Sequence, residues 1–452
     1  MSDWTPPAFI DREDVISQAN SLLESADIAF VETEDVFRIN EVGLDWDIGV
    51  MTYEPITPAR DANGNAIGVF LLHGGSGDFR AMEGFARLIA AKLGYKVVSM
   101  TYPGRLYLES ADRNWPGETI RPDGSVRTPI WLTGEVTTPD QYDVVEDTSM
   151  RSRYGTRVLA RARRGTLFHD RMAAWPAAFE AAMKEACARH LGDGYSILVH
   201  GHSTGGPLVS MLSQRVANIV GVVAIENSPF GYIQEQSRLY TGNLERRAGG
   251  RPEQTIDEAR RSDRFDDLSI RTWREEARYA GPEAAMNEGT AALMRLPELM
   301  EQVLEAWDRV KVQANFKCEY LITRNVVASL EAAAVVTAQR LGLDTAATRN
   351  LIDRYVGMTA ELRGPGVKPV PPTLFGITNA SRDHPEQVYH DVILPLYAAM
   401  DPAPRTALTK YGAGVHEYTK PQPGLPWGVA PAVLTGWRQA MDNGFFADGA
   451  TT

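Results

Sequence analysis

Short apolar runs of strand length alternate with longer amphipathic stretches along most of this chain, and that alternation constrains the fold more than any other feature. A period switching between two residues and about 3.6 marks strands interleaved with helices, the pattern of a layered α/β domain. Strands are expected at residues 29–40, 46–53, Ala66–Leu72, 96–102, 195–200, Ile219–Ile225, Thr373–Thr378 and 405–411. Helices are expected at 81–93, stopped by Gly94, at 170–191, from after Gly206 to about 216, and at 429–441. Strand, turn, helix and strand in succession within one sheet imply parallel pairing through crossovers.

Two stretches break the rhythm. Residues 105–167 are rich in Pro, Gly, Thr and Asp, carry the turn signal Asp123-Gly124, and are too long for a plain connection. They are expected to form a lid-like excursion. Residues 233–369 are helical and charged in pattern, with helices expected near 253–262, 282–310, 325–341 and 344–357, and the Pro-rich stretch 364–372 closes them. The domain reading is a core of residues 1–232 and 370–452 with a helical cap at 233–369.

Composition removes several classes of function. Hydrophobic residues make up 44% of the 452, enough apolar material to exclude disorder over most of the length. A net charge of −12 provides no basic stripe for nucleic acid. Two cysteines, Cys187 and Cys318, exclude a disulfide framework, and without a Cys-x-x-Cys pair a zinc-thiolate or thiol-redox site is not expected. The first residues lack the basic and apolar regions of a signal peptide, and no apolar run approaches the roughly 18 residues of a membrane helix. A cytoplasmic protein without membrane contact is the expectation.

The chemistry concentrates in Gly201-His202-Ser203-Thr204-Gly205, which follows an apolar strand and opens a helix. The bare pattern is weak, but this setting is that of a nucleophile elbow. The tight turn lifts the serine hydroxyl clear of the sheet and aims backbone N–H groups at the charge that develops on attack. A serine needs a base, and the base needs an orienting acid. His416 lies in the Gly-rich stretch 411–418, between the last expected strand and the last helix, which would bring it to the edge where the elbow opens. His384 is the second choice. Glu226, at the tip of an apolar strand, is the favoured acid because a carboxylate there needs a partner. Asp383, after the next strand, is the alternative. His200 and His202 bracket the elbow and are expected to be fixed by its backbone.

An oxyanion hole needs two N–H donors. Thr204, after the nucleophile, is expected to supply one. The loop His73-Gly74-Gly75-Ser76-Gly77 should supply the other, from Gly75 first and Ser76 next. That loop lacks the Lys of a phosphate-binding P-loop and the spacing of a dinucleotide fingerprint.

In Leu71-Leu72-His73-Gly74-Gly75, Gly201-His202-Ser203-Thr204-Gly205 and Gly414-Val415-His416, in that order, the chain resembles the α/β-hydrolase family. The resemblance covers roughly residues 28–105, 170–232 and 370–445. It implies an α/β-hydrolase fold, a mostly parallel central sheet with helices on both faces and a large helical cap insertion. Ser203, Glu226 or Asp383, and His416 obey the family's order of nucleophile, acid and base. Most members carry the acid where Asp383 stands. Ala224-Ile225-Glu226-Asn227 resembles a smaller group, including bacterial esterases, with a Glu one strand earlier. A serine at the elbow argues against dehalogenases and epoxide hydrolases, which use Asp there.

The leading expectation is a serine esterase acting on a small to medium, partly apolar ester. An amidase or peptidase and a lactonase are the alternatives with the same residues, and an inert hydrolase-fold binding protein is the reading from another class. No cofactor and no metal are expected. The expected partner is a small-molecule ester, with a homodimer left open and no nucleic acid or membrane.

Overall fold

Apolar runs that cannot face water on either side must be sandwiched, and the computed structural model shows how. It describes residues 4–41, 43–74, 79–104, 130–152, 155–163, 165–203, 205–227, 335, 338–339, 341–356, 368–381, 384, 386, 389–398 and 402–447. Nine strands form one sheet: β1 (Phe9–Ile10), β2 (Phe30–Glu41), β3 (Leu44–Pro55), β4 (Ala66–Leu72), β5 (Lys96–Met100), β8 (Tyr195–Gly201), β9 (Ile219–Ile225), β10 (Thr373–Thr378) and β11 (Thr406–Tyr411). Their spatial order is β1-β11-β10-β9-β8-β4-β5-β3-β2. Only the pairings of β3, with β2 and with β5, are antiparallel; the other six are parallel.

Side chains alternate across a strand, so each apolar run feeds two layers. On one face Val69, Leu71, Val97, Leu198 and Val223 pack with α1 (Arg12–Glu24), α2 (Glu83–Leu93) and α7 (Ala430–Asp442) in a single buried cluster. Phe85 and Trp437 meet edge-on within it at 5.6 Å. Phe70, Val98, Val199 and Val222, equally buried, point to the opposite face, which α3 (Leu167–His190) and α4 (Gly205–Ser213) cover. A parallel run buried on both faces explains why Ala66–Leu72 has no exposed residue.

The start of the described part of the 105–167 excursion, around Trp131 and Thr133, is docked on β3. Trp131, 1% exposed, meets Trp46 edge-on at 5.1 Å. The Asp47 carboxylate, held by Arg38 at 2.8 Å, accepts the Thr133 N–H at 2.8 Å. These bonds keep the Asp47 carboxyl below the usual carboxylate range, the Arg38 bond contributing most. Strands β6 (Tyr142–Ser152) and β7 (Gly155–Ala162) then pair antiparallel as a separate hairpin. The Asp123-Gly124 turn lies outside the described residues.

Of the expected cap, helix α5 (Thr345–Val356) is described, within the predicted 344–357. The expected helices at 253–262 and 282–310 lie outside the described residues, as does most of 325–341. The π-helical turn Tyr389–Ile393 and helix α6 (Leu394–Ala398) connect β10 to β11, and the short strand β12 (Pro426–Val429) precedes α7. Among the described residues no helix is long and apolar enough to cross a membrane.

Candidate active site

The six central strands run parallel, so β4, β8, β9, β10 and β11 all end at one edge of the sheet. The turn after each end is where the chain places its polar side chains. After β8 the backbone reverses so sharply that a Cβ on Gly201 would strike the Gly205 carbonyl, and one on Gly205 would come within 2.7 Å of the His73 carbonyl oxygen. Small residues are therefore obligatory on both sides of Ser203. Ser203 itself sits in the left-handed region, at φ 51°.

Glu226 follows β9 in the same strained conformation, at φ 52°. Among the described residues these are the only two non-glycines with positive φ, a conformation that costs roughly 1–3 kcal/mol. The Glu226 N–H still bonds the Gly376 carbonyl at 3.0 Å, so the sheet pairing persists while the side chain turns across the end of β10. There the carboxylate is wholly buried. Its Oε1 accepts the Thr378 N–H at 2.5 Å and the Thr378 hydroxyl at 2.8 Å; its Oε2 accepts the Ser381 hydroxyl at 2.6 Å.

The loop after β11 brings in His416. Its Nδ1–H donates to Glu226 Oε2 at 3.2 Å, and its Nε2 accepts the Ser203 hydroxyl at 3.1 Å. One imidazole thus bridges the two strained residues, with one nitrogen for each. The structure brings together Ser203, His416 and Glu226. Asp383, Thr204, Gly75 and Ser76 lie outside the described residues. The described start of the loop expected to supply the second oxyanion donor lies beside Ser203: a Cβ on Gly74 would come within 3.4 Å of Ser203 Cβ. His73 before it is buried, stacked on Tyr102 at 4.1 Å, and the Tyr102 hydroxyl donates to its carbonyl at 2.6 Å.

A serine after β8, a carboxylate after β9 and a histidine after β11 now stand on a sheet ordered β2-β3-β5-β4-β8-β9-β10-β11. The chain has the α/β-hydrolase fold. No protein-family model matches the sequence, and no curated protein matches it. Solved structures similar overall to this chain include a peroxisomal α/β-hydrolase from Saccharomyces cerevisiae, at 13% identity and TM-score 0.37, covering 91% of this chain and 89% of that one. An esterase from Pyrobaculum calidifontis matches at 14% identity and TM-score 0.32, covering 98% and 95%. A thermostable esterase from Pseudomonas putida matches at 13% and 0.33, covering 96% and 88%. The strand order and the sharp turn between β8 and α4 define the fold.

Glu226, His384 and His416 also form a group whose potential metal-ligand atoms lie within 4.8 Å of one another. The rings of His384 and His416 are stacked, with planes only 23° apart and centroids at 5.4 Å. Imidazole lone pairs lie in the ring plane, so two stacked rings do not converge on one ion. Oε2 of Glu226 is already engaged by Ser381 and His416. The arrangement suits a hydrogen-bonded acid and base rather than a shared cation.

Sequence reasoning missed Thr378 and Ser381 as donors to Glu226. Both lie in the polar stretch around Asp383, which reads from sequence as the surroundings of the alternative acid and not of Glu226. Sequence reasoning also left His200 and His202 to the elbow's backbone, whereas both side chains reach the loop that carries His416. His200 Nδ1–H donates to the Val223 carbonyl, and its Nε2 accepts the Tyr418 hydroxyl, each at 2.8 Å. Burial pushes the His200 pKa down to about 4.

Proposed function

We propose that this chain is a serine hydrolase that cleaves carboxylic esters through an acyl-enzyme. The observation that carries the proposal is the single imidazole of His416, 3.1 Å from the Ser203 hydroxyl on one side and 3.2 Å from a buried carboxylate on the other. A hydroxyl is a poor nucleophile until its proton has somewhere to go. As Ser203 Oγ attacks the ester carbonyl, its proton passes to His416 Nε2. The imidazolium so formed lies against Glu226, whose charge acts in a water-poor setting and is not spread into solvent. The oxyanion falls to the backbone N–H groups of Thr204 and Gly75 in this reading. His416 returns its proton to the departing alcohol, and water repeats the sequence in reverse to release the acid.

Substrate choice falls to residues 105–167 and 233–369. Both segments leave the sheet where β5 and β9 end, the edge that carries Ser203. The reading is tested with matched p-nitrophenyl esters and p-nitroanilides of short and medium acids, on wild type and Ser203→Ala. Ester turnover that Ser203→Ala abolishes, with anilides far slower, is the expected result. Comparable anilide rates would move the assignment to an amidase, and ester turnover surviving in Ser203→Ala would remove the serine mechanism.

A further inference from the structure

A base can serve a nucleophile only if its ring stays within hydrogen-bond reach while it gains and loses a proton. Glu226 fixes the orientation of His416 about one edge, which leaves the position of its backbone to be held by something else. The His416 carbonyl accepts two donors: the Tyr418 N–H at 3.0 Å, within its own loop, and Nε2–H of His202 at 3.2 Å, from the elbow. A carbonyl only accepts, so this contact places the His202 proton on Nε2. The ring of His202 also faces the ring of His416, with centroids 5.0 Å apart and planes at 31°. His384 stacks on His416 too, at 5.4 Å. His202 is held in turn by its own N–H, which bonds the Leu72 carbonyl at 2.9 Å, and by Gly74, where a Cβ would come within 3.0 Å of His202 Nδ1.

We propose that His202 is a positioning residue for the base: as the neutral Nε2–H tautomer it ties the backbone of His416 to the residue next to Ser203, so that nucleophile and base move as one unit. This rests on the serine-hydrolase reading. Around His202 stand His416, His200, Tyr418 and, beyond His416, Glu226 and His384. Burial, reinforced by repulsion from His416, pushes the His202 pKa down to about 3. The tie therefore persists when His416 takes up its proton. His200 holds the same loop two residues further along through Tyr418, with the opposite tautomer, Nδ1–H.

His202→Phe keeps a ring against His416 but removes the donor, and His202→Gln keeps an N–H near the same place. Loss of the tie lets Ser203 and His416 drift apart, and misplacement of that kind lowers turnover by on the order of ten- to a hundredfold. We expect His202→Phe to lose kcat on that scale with KM within about twofold, and His202→Gln to recover most of it. A His202→Phe kcat equal to wild type, or a glutamine no better than phenylalanine, overturns the proposal. A second measurement needs no variant. Imidazole ¹⁵N spectra of the wild-type protein should show His202 neutral and protonated at Nε2 from pH 5 to 8, and a titration near 6.5 or the Nδ1–H tautomer would overturn it equally. Ser203→Ala in the same assay separates the two claims. If it stays active, the serine mechanism fails; if it is dead while His202→Phe is unimpaired, only the positioning role fails.

Discussion

Replacing Glu226 by Gln changes one atom and, in this site, one proton. The amide must choose which of its ends takes the place of Oε1. That position faces the Thr378 backbone N–H at 2.5 Å, a donor that cannot turn away. The amide oxygen therefore goes there, and the NH₂ takes the place of Oε2. Ser381 can rotate its hydroxyl to accept from it. His416 can accept from it only by giving up its proton at Nδ1. The ring then carries its proton on Nε2, which faces Ser203 and can no longer receive the serine proton. Loss of the charge that stabilises the imidazolium adds to this. The same replacement in a serine protease triad lowers kcat by about 10⁴ through the wrong tautomer, about 5.5 kcal/mol at 1.36 kcal/mol per decade. We expect a loss of that order in kcat, with KM nearly unchanged, measured by stopped-flow release of p-nitrophenol from a short ester. Asp383→Asn serves as the control and should lose on the order of tenfold or less if Asp383 only organises its loop. A Glu226→Gln enzyme within tenfold of wild type would refute the argument, and a larger loss in Asp383→Asn would assign the acid to Asp383.

Other outcomes follow from the same structure. Trp131→Ala should lower stability by about 3–5 kcal/mol, since it removes a side chain that is 1% exposed and packed on Trp46, and urea melts will read it. Acid should weaken the fold through His200: the unfolded imidazole titrates near 6.5 and the folded one near 4, so below pH 6.5 the unfolded chain binds the extra proton. The stability present above 6.5 is lost progressively toward pH 4, by on the order of 3 kcal/mol at about 1.4 kcal/mol per unit. His202 contributes in the same direction, weakened by its partial exposure. His200→Phe should flatten this fall in urea titrations between pH 4 and 7, and an unchanged slope would contradict the assignment. EDTA should leave ester turnover intact; an activity lost to EDTA and restored by a divalent cation would contradict the reading of His384 as a stacking partner.

The sheet was legible where burial on both faces left a strand no ambiguity. Ala66–Leu72, Ile219–Ile225 and Thr373–Thr378 are bounded in the structure as their apolar runs predict. Gly94 ends α2 in the left-handed conformation, as a C-terminal glycine should. The two-residue strand β1 carried no periodic signal, because only its pairing with β11 makes it a strand. The hairpin β6–β7 was hidden in a stretch whose Pro and Gly content reads as loop. In the site, sequence order and position at strand ends were enough to bring Ser203, His416 and Glu226 forward. What holds them was not legible. The Thr378 and Ser381 bonds to Glu226 span some 150 positions, and those of His200 and His202 to the 416–418 loop more than 200. No local pattern reports contacts of that range. Strain at Ser203 and Glu226 is likewise invisible in sequence, since neither residue type announces a positive φ.

The central claim is that His416 makes Ser203 nucleophilic, and covalent capture tests it without any assumption about substrate. A fluorophosphonate probe requires a serine that has lost its proton to a neighbour. Intact mass followed by peptide mapping should show one adduct per wild-type chain, on Ser203, none on Ser203→Ala, and labelling of His416→Ala slowed by at least a hundredfold. An unlabelled wild-type protein, an adduct on another residue, or a His416→Ala variant that labels at the wild-type rate would contradict the account.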